Sequence, residues 1–339
     1  LDVVEANIAA MSSYFSGQHS RLRPHFKTPK TPEIARRQLA AGAIGITAAK
    51  LGEAEVLARA GLGPILIANQ IVGPTKIDRL LALPETVEVI VAVESEFNVR
   101  ELEAGAARSG RPPQAIVEVD TGMHRCGTAN PEETVELVQR MLAGPVRYRG
   151  IMGYEGHAVL QRDPGERRRL AEAALETLGR HVAALTAAGL APEIVSAGGT
   201  GTFDLAGSAP HVTEVQAGSY VFMDGAYRAV RPDLGQPALT LLTTVIARHG
   251  DVAIVDCGMK SLSLEFGPPQ GKDLPVKILR LSEEHGHLDV AGTELKPGDK
   301  VELVPSHGDT TINLHSEYNV VRGDEVVEVW PIEAARAYR

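Results

Sequence analysis

Cysteine is scarce in this sequence: Cys126 and Cys257 are the only two among 339 residues. They lie far apart in apolar surroundings, which argues against a disulfide framework and leaves no spacing for a structural zinc finger. Positive charge is also in deficit. The 34 Lys and Arg face 43 Asp and Glu, a formal net charge of −9, so a phosphate backbone or an anionic membrane would meet repulsion rather than release counterions. Nucleic acid and membrane are therefore not expected as partners. No apolar run approaches the roughly 18 to 20 residues that span a bilayer. The opening Leu1-Asp2-Val3-Val4-Glu5 lacks a basic flank and a cleavage site, and residence in a reducing cytoplasm is the expectation.

What the chain does have is the material of an ordinary globular protein, with 44% hydrophobic and 23% charged residues. Its length exceeds what one core usually organises, which predicts two domains or a barrel with an appendage. From Arg23 to Asp224 short apolar runs alternate with amphipathic stretches, the pattern of parallel strands joined by crossover helices. The expected strands are Arg23 to Lys27, Ala43 to Ala49, Pro64 to Gln70, Val87 to Ser95, Gln114 to Gly122, Val146 to Glu155, Glu193 to Gly199 and Glu214 to Asp224, eight in all. Runs such as Ile65-Leu66-Ile67-Ala68 and Val89-Ile90-Val91-Ala92-Val93 do not alternate, as strands buried on both faces should not. Eight such strands predict a (β/α)8 barrel of the TIM type. After Pro232 helices nearly vanish. Strands are expected over Thr240 to His249, Val252 to Asp256, Pro275 to Leu281, Lys300 to Pro305 and Glu325 to Pro331, with reversals at Pro297-Gly298-Asp299 and Arg322-Gly323-Asp324. The domain expectation is a barrel over residues 1–232 and an all-β domain over 233–339.

In such barrels the reactive groups sit at the C-terminal ends of the strands. Lys27 ends the first expected strand, where an apolar mouth favours a neutral, nucleophilic amine suited to a Schiff base. By position alone a lysine snorkelling to solvent is the simpler reading, and Lys30, three residues on, is a rival. The run Ser196-Ala197-Gly198-Gly199-Thr200-Gly201 follows a strand and could form a nest of N–H groups for a phosphate, or serve the turn alone. It has the spacing of neither a nucleotide P-loop nor a dinucleotide fingerprint, which disfavours ATP and NAD. Late in the chain, Pro305-Ser306-His307-Gly308-Asp309 would put an imidazole and a carboxylate on one face if extended. Such a pair can share a divalent ion and leave positions open for water and substrate.

Taken together, the segments Arg23-Pro24-His25-Phe26-Lys27-Thr28, Ile67-Ala68-Asn69-Gln70, Val119-Asp120-Thr121-Gly122-Met123-His124-Arg125-Cys126-Gly127, Ser196 to Gly201 and His307-Gly308-Asp309 resemble, in order, the D-threonine aldolase and D-serine dehydratase family. The resemblance implies an alanine-racemase-like fold, a pyridoxal-phosphate barrel with a β domain, and an active site completed in a homodimer. It assigns Lys27 as the cofactor lysine, Arg125 to the cofactor's ring oxygen, Gln70 and Tyr154 to cofactor binding, and the backbone around Gly199, Thr200, Gly218 and Ser219, with Tyr220 nearby, to its phosphate. His307 and Asp309 would hold a divalent metal, manganese before magnesium or another ion. The sequence departs from the family at Pro29, where relatives often carry histidine, and an upstream strand usual in relatives would precede Leu1.

The resemblance also bears on the reaction. Dehydratases of the family tend to pair histidine with cysteine at the metal, aldolases histidine with aspartate, and this chain has Asp309. The expected activity is retro-aldol cleavage of a small D-3-hydroxy amino acid, of the D-threonine or D-phenylserine type, with His307 at the metal and His157 as a base. Dehydration of D-serine or D-3-hydroxyaspartate is the alternative. A racemase would need a second base, for which no tyrosine motif is evident. A non-catalytic carrier of the cofactor would lack the β domain and the metal pair.

Overall fold

The computed structural model describes residues 1–338. The chain packs as two units: Ala9–Gly218 with Ala337 onward, and Ser219–Arg336 with Leu1–Ile8. The first begins with eight parallel strands among the described residues: β1 (Arg21–Leu22), β2 (Ile46–Ala48), β3 (Ile65–Gln70), β4 (Val89–Val93), β5 (Gln114–Val119), β6 (Arg147–Gly153), β7 (Ile194–Ala197) and β8 (Glu214–Val215). Their ladder runs β1-β8-β7-β6-β5-β4-β3-β2. The chain just after β1 closes the ring onto β2: Thr47 N donates to Pro24 O at 2.9 Å and Phe26 N to Thr47 O at 2.7 Å. The expected barrel is therefore present, with strands shorter than the apolar runs that announced them.

Buried apolar side chains fill it. Leu66, Ile90, Ala92, Ile116, Met152 and Ile194 form one inner cluster, and each fully buried aliphatic side chain contributes roughly 1.5–3 kcal/mol. One charged pair joins the ring's seam: Arg23 lies against Glu214 of β8, Nη2 to Oε2 at 2.8 Å, both side chains buried. Crossover helices cover the outside, among them Pro32–Ala40, Leu51–Arg59, Pro131–Leu142 and Pro164–Ala187. Pro at the first turn and a capping Asn130 or Asp163 start the last two, as those residues favour.

Two expectations about the barrel need correction. The first strand does not run to Lys27: after β1 only His25 makes a bridge, to Thr47, and residues 26–29 form a turn. The last strand ends at Val215 rather than Asp224, because Ser219–Val221 is a 3-10 turn and Gly225–Val230 a helix. That stretch reads as a strand because Tyr220-Val221-Phe222-Met223 is apolar and buried, and periodicity cannot separate a short buried strand from a buried turn.

The second unit is built on a closed antiparallel barrel, order β10-β13-β12-β11-β14-β9. Its strands are β9 (Leu241–His249), β10 (Val252–Val255), β11 (Gln270–Gly271), β12 (Lys277–Leu281), β13 (Gly286–Asp289) and β14 (Lys300–Val304). Val245, Val255, Leu281, Leu288 and Leu303 are in its core. A separate hairpin, β15 (Glu317–Arg322) with β16 (Glu325–Pro331), reverses at Gly323, whose φ of 60° suits glycine. The run after β14 is not extended throughout, contrary to expectation. His307 is extended, φ −139° and ψ 128°, but it is the N-cap of a short helix, Gly308–Ile312, and Asp309 lies in that helix's first turn.

Candidate active site

The C-terminal ends of the barrel strands gather most of the polar residues singled out from sequence. Lys27 is half-buried in the turn after His25, and its backbone N–H donates to His25 Nδ1 at 3.3 Å. Burial first, then the charges of Lys27, Lys30 and Arg125, push His25 well below its ordinary range, so the imidazole beside Lys27 is neutral at pH 7. The rival Lys30 is committed elsewhere: its Nζ lies 2.6 Å from Oε1 of the buried Glu53.

Beside the turn that carries Lys27, and in the loop after β7, glycines sit in tight approaches. A Cβ on Gly218 would lie 3.0 Å from His25 O and 3.1 Å from Thr28 Oγ1. Thr28 is 1% exposed and its hydroxyl, buried, has no hydrogen-bond partner. A buried unsatisfied hydroxyl against a glycine backbone fits a ligand that brings acceptors, as a phosphate does. In the loop after β7, a Cβ on Gly201 would collide with Val159 O, and one on Gly199 would meet Tyr154 Cε2 and Val159 Cγ1 at 3.1 Å each. Gly199 and Thr200 are buried. Glu155 holds this loop: Oε2 accepts from Gly198 N at 3.3 Å and Oε1 from Thr202 Oγ1 at 2.5 Å. Burial raises the Glu155 carboxyl, which the Thr202 hydrogen bond offsets in part.

Gln70, Glu118 and Arg125 form a second cluster at the same ends. Gln70 Nε2 donates to Glu118 Oε2 at 2.5 Å, and Arg125 Nη2 lies 3.7 Å from Glu118 Oε1. Burial raises Glu118 against the pull of both partners. Asp120 shapes the next loop by accepting from Gly122 N at 2.9 Å and His124 N at 3.0 Å. His157 is exposed, its imidazole Cε1 3.4 Å from where a Gly122 Cβ would sit. An amine, an amide with a guanidinium, and close-packed glycines beside an unsatisfied hydroxyl, all at the C-terminal ends of the barrel strands, form a donor set that pyridoxal phosphate fits.

The remaining singled-out residues belong to the other unit. Ser219 and Tyr220 are buried in their 3-10 turn. His307 Nε2 stands 4.0 Å from Asp309 Oδ2. Two donors about 2.1 Å from one ion can be at most about 4.2 Å apart, so the separation is one that a shared divalent cation fits. No cluster of three or more His, Cys, Asp and Glu that could hold a metal occurs among the described residues. Burial pulls His307 down, but the Asp224 hydrogen bond and the charges of Asp309, Asp224 and Glu265 outweigh it and hold the imidazole above its ordinary range. Phe266 packs on the His307 ring at 4.8 Å between centroids, and its own side is 44% exposed.

Sequence reasoning gave no role to Glu118, Glu155, Asp224 or Thr28. A signal existed for Glu118, a single carboxylate within the apolar run Ala115 to Val119. Asp224 carried a helix-start signal that was obscured by the apolar residues before it. Thr28 had none, since an unsatisfied hydroxyl is visible only in three dimensions.

Comparison with known proteins agrees with the architecture. Residues 1–225 match the family model "Alanine racemase, N-terminal domain", and residues 238–321 match a model of a serine dehydratase domain. The 3-hydroxy-D-aspartate aldolase of Paracoccus denitrificans (strain Pd 1222) is 37% identical, over 98% of this chain and 90% of that protein. The D-threonine aldolase of an Arthrobacter species is 35% identical, over 97% of this chain and 89% of that protein. The crystal structure of D-threonine aldolase from Filomicrobium marinum superposes with a TM-score of 0.96 at 35% identity, covering 100% of this chain and 95% of that one. Among the described residues no helix is long and apolar enough to cross a membrane.

Proposed function

The chain belongs to the alanine racemase N-terminal domain family, beside D-threonine aldolase and 3-hydroxy-D-aspartate aldolase, and from that premise we propose that this lyase cleaves D-3-hydroxy amino acids with an uncharged Cβ substituent, D-threonine and D-phenylserine, to glycine and an aldehyde. The observation that carries the reading is the pair His307 and Asp309, a nitrogen and an oxygen donor 4.0 Å apart.

Lys27 would carry pyridoxal phosphate, with Gln70, Arg125 and Tyr154 at its ring and Gly199, Thr200, Gly218, Ser219 and Tyr220 at its phosphate. The cofactor, when bound, supplies an electron sink for charge left at Cα. His307 and Asp309 would hold a divalent cation, manganese by preference, which lowers the pKa of the Cβ hydroxyl. His157 takes the hydroxyl proton; the Cα–Cβ bond then breaks, its electron pair stays with Cα, and Cβ leaves as the aldehyde carbonyl. A proton returned to Cα gives glycine. Phe266 on the His307 ring offers an apolar face that supports a neutral, aromatic or aliphatic substituent. The protein works as a homodimer in the cytoplasm in this reading, to which two unpaired cysteines are suited.

The test is product analysis. Purified protein with pyridoxal phosphate should show a visible Schiff-base band that Lys27→Ala abolishes. It should release glycine from D-threonine and D-phenylserine only with a divalent metal present. A 2-oxo acid and ammonia in place of glycine would overturn the reading in favour of a dehydratase.

A further inference from the structure

His307 is held from behind by one residue, Asp224. Asp224 Oδ2 accepts from His307 Nδ1 at 2.8 Å and from Gly308 N at 2.9 Å, while its Oδ1 accepts from Tyr227 N at 2.9 Å. The Asp224 side chain is 3% exposed. Its approach to His307 is stitched by backbone bonds on either side, Gly225 N to Pro305 O and Ala226 N to Ser306 O, both 3.0 Å. Phe266 and Tyr227 flank the imidazole at 4.8 and 6.3 Å between ring centroids. The ring therefore has one rotamer available.

A carboxylate only accepts hydrogen bonds. An imidazole nitrogen 2.8 Å from it carries the hydrogen, and the lone pair of the neutral ring is then on Nε2, the atom that faces Asp309 Oδ2 at 4.0 Å. Carboxylates placed behind a histidine in this way fix its tautomer and orientation and raise its basicity toward a metal. We propose that Asp224 is a positioning residue that sets the tautomer of His307 for metal binding. The inference rests on the metal reading of His307 and Asp309 given above, and adds to it a buried residue 83 positions away in sequence. Asp224 has a second duty as N-cap of the helix Gly225–Val230, and the two duties use different oxygens, so they can be separated.

Asp224→Ser keeps a capping oxygen for Tyr227 N and removes the partner of His307 Nδ1. Asp224→Asn keeps the shape; its amide must present N–H groups either to the helix start or to His307 Nδ1, and the latter moves the ring hydrogen to Nε2. Manganese binding is read by the electron paramagnetic resonance of unbound Mn2+, on protein loaded with pyridoxal phosphate and without substrate. The expected result is a Kd raised 10- to 100-fold in Asp224→Ser, and in Asp224→Asn where its N–H faces His307 Nδ1, with the cofactor absorbance band and far-ultraviolet dichroism as in the parent. Superimposable titrations of parent, Asp224→Ser and Asp224→Asn, with binding lost in His307→Ala, would overturn the inference and leave the metal pair standing. A parent protein that binds no Mn2+ would overturn both. A further measurement needs no variant: long-range 1H–15N correlation of histidine-labelled, metal-free protein at pH 8 should show His307 protonated on Nδ1, and protonation on Nε2 would overturn the inference.

Discussion

Lys30 Nζ lies 2.6 Å from Glu53 Oε1, a carboxylate whose side chain is 1% exposed, while Lys27, three residues earlier, sits half-buried beside a neutral His25. Two lysines one turn apart have thus been given different work. Glu53 Oε2 also accepts from Ala49 N at 2.7 Å, so the Lys30 ion pair fastens the turn that carries Lys27 to the loop after β2.

Lys30→Met should therefore cost stability and spare the cofactor bond. It leaves a buried carboxylate without its cation, a change worth about 3–5 kcal/mol. Urea unfolding checks this, and the double variant Lys30→Met with Glu53→Gln should regain part of the loss. Both variants should keep the visible Schiff-base band. Loss of that band in properly folded Lys30→Met would assign the cofactor to Lys30.

A second prediction concerns acid. His181, on the helix Pro164–Ala187, is buried; its Nδ1 is 2.7 Å from Thr134 Oγ1 on Pro131–Leu142. Burial, and then the neighbouring Arg180, lower it to about 4. The native state therefore binds fewer protons than the unfolded chain between pH 6.5 and about 4, so stability falls as pH drops through that window. At pH 5 the loss from this group is about 2 kcal/mol. His181→Gln, which keeps a partner for Thr134, should flatten the pH dependence of the unfolding free energy by that amount. Equal slopes for parent and variant between pH 7 and 5 would refute the assignment.

The parts of this structure that could be read from sequence are those where one physical pattern decides. Ile65-Leu66-Ile67 and Ile90 to Val93 read as strand residues buried on both faces, and they are. Asn130-Pro131 and Asp163-Pro164 are local helix-start patterns, and in the structure both residues cap. The misread segments are those where two patterns compete. Tyr220 to Met223 is apolar enough for a strand, yet it turns, because Met223 N closes onto Ser219 O at 2.8 Å. β13, Gly286–Asp289, is short and half polar, and it is held between β12, just before it in sequence, and the more distant β10. The candidate site divides in the same way. Lys27, Gln70 and His307 stand out by residue type and position. Asp224 and Glu155 act through hydrogen bonds to residues 83 and 43 positions away, and no local spacing encodes such a partnership.

Glu155 gives a third prediction. It accepts from Gly198 N and Thr202 Oγ1, on either side of the glycines assigned to the cofactor phosphate. Glu155→Gln turns one acceptor into a donor facing one of those groups, at a cost of about 1–3 kcal/mol for a buried group left unpaired. If the loop cradles the phosphate, the Kd for pyridoxal phosphate should rise by roughly tenfold or more, with kcat at saturating cofactor little changed. Fluorescence titration of the apo protein measures this. A lower unfolding temperature with an unaltered Kd would mean that the loop serves the fold alone.

Phe266 gives the last prediction, and it separates substrates rather than states of the enzyme. Its ring is 4.8 Å from His307 between centroids, tilted 53°, and it remains 44% exposed. An aromatic face left open beside a metal ligand can cover a phenyl group far better than a methyl group, because an aromatic pair adds about 0.5–1.5 kcal/mol beyond the area it buries. Truncation to alanine removes that surface while leaving His307 bonded to Asp224. For Phe266→Ala, KM for D-phenylserine should rise by about tenfold, and KM for D-threonine by much less. The kcat values should stay within a few-fold of the parent, since the change removes binding made equally in the ground and transition states. A parallel loss for both substrates would show instead that the ring acts by holding His307 in place. An unchanged KM for D-phenylserine would move the substituent's pocket to another wall.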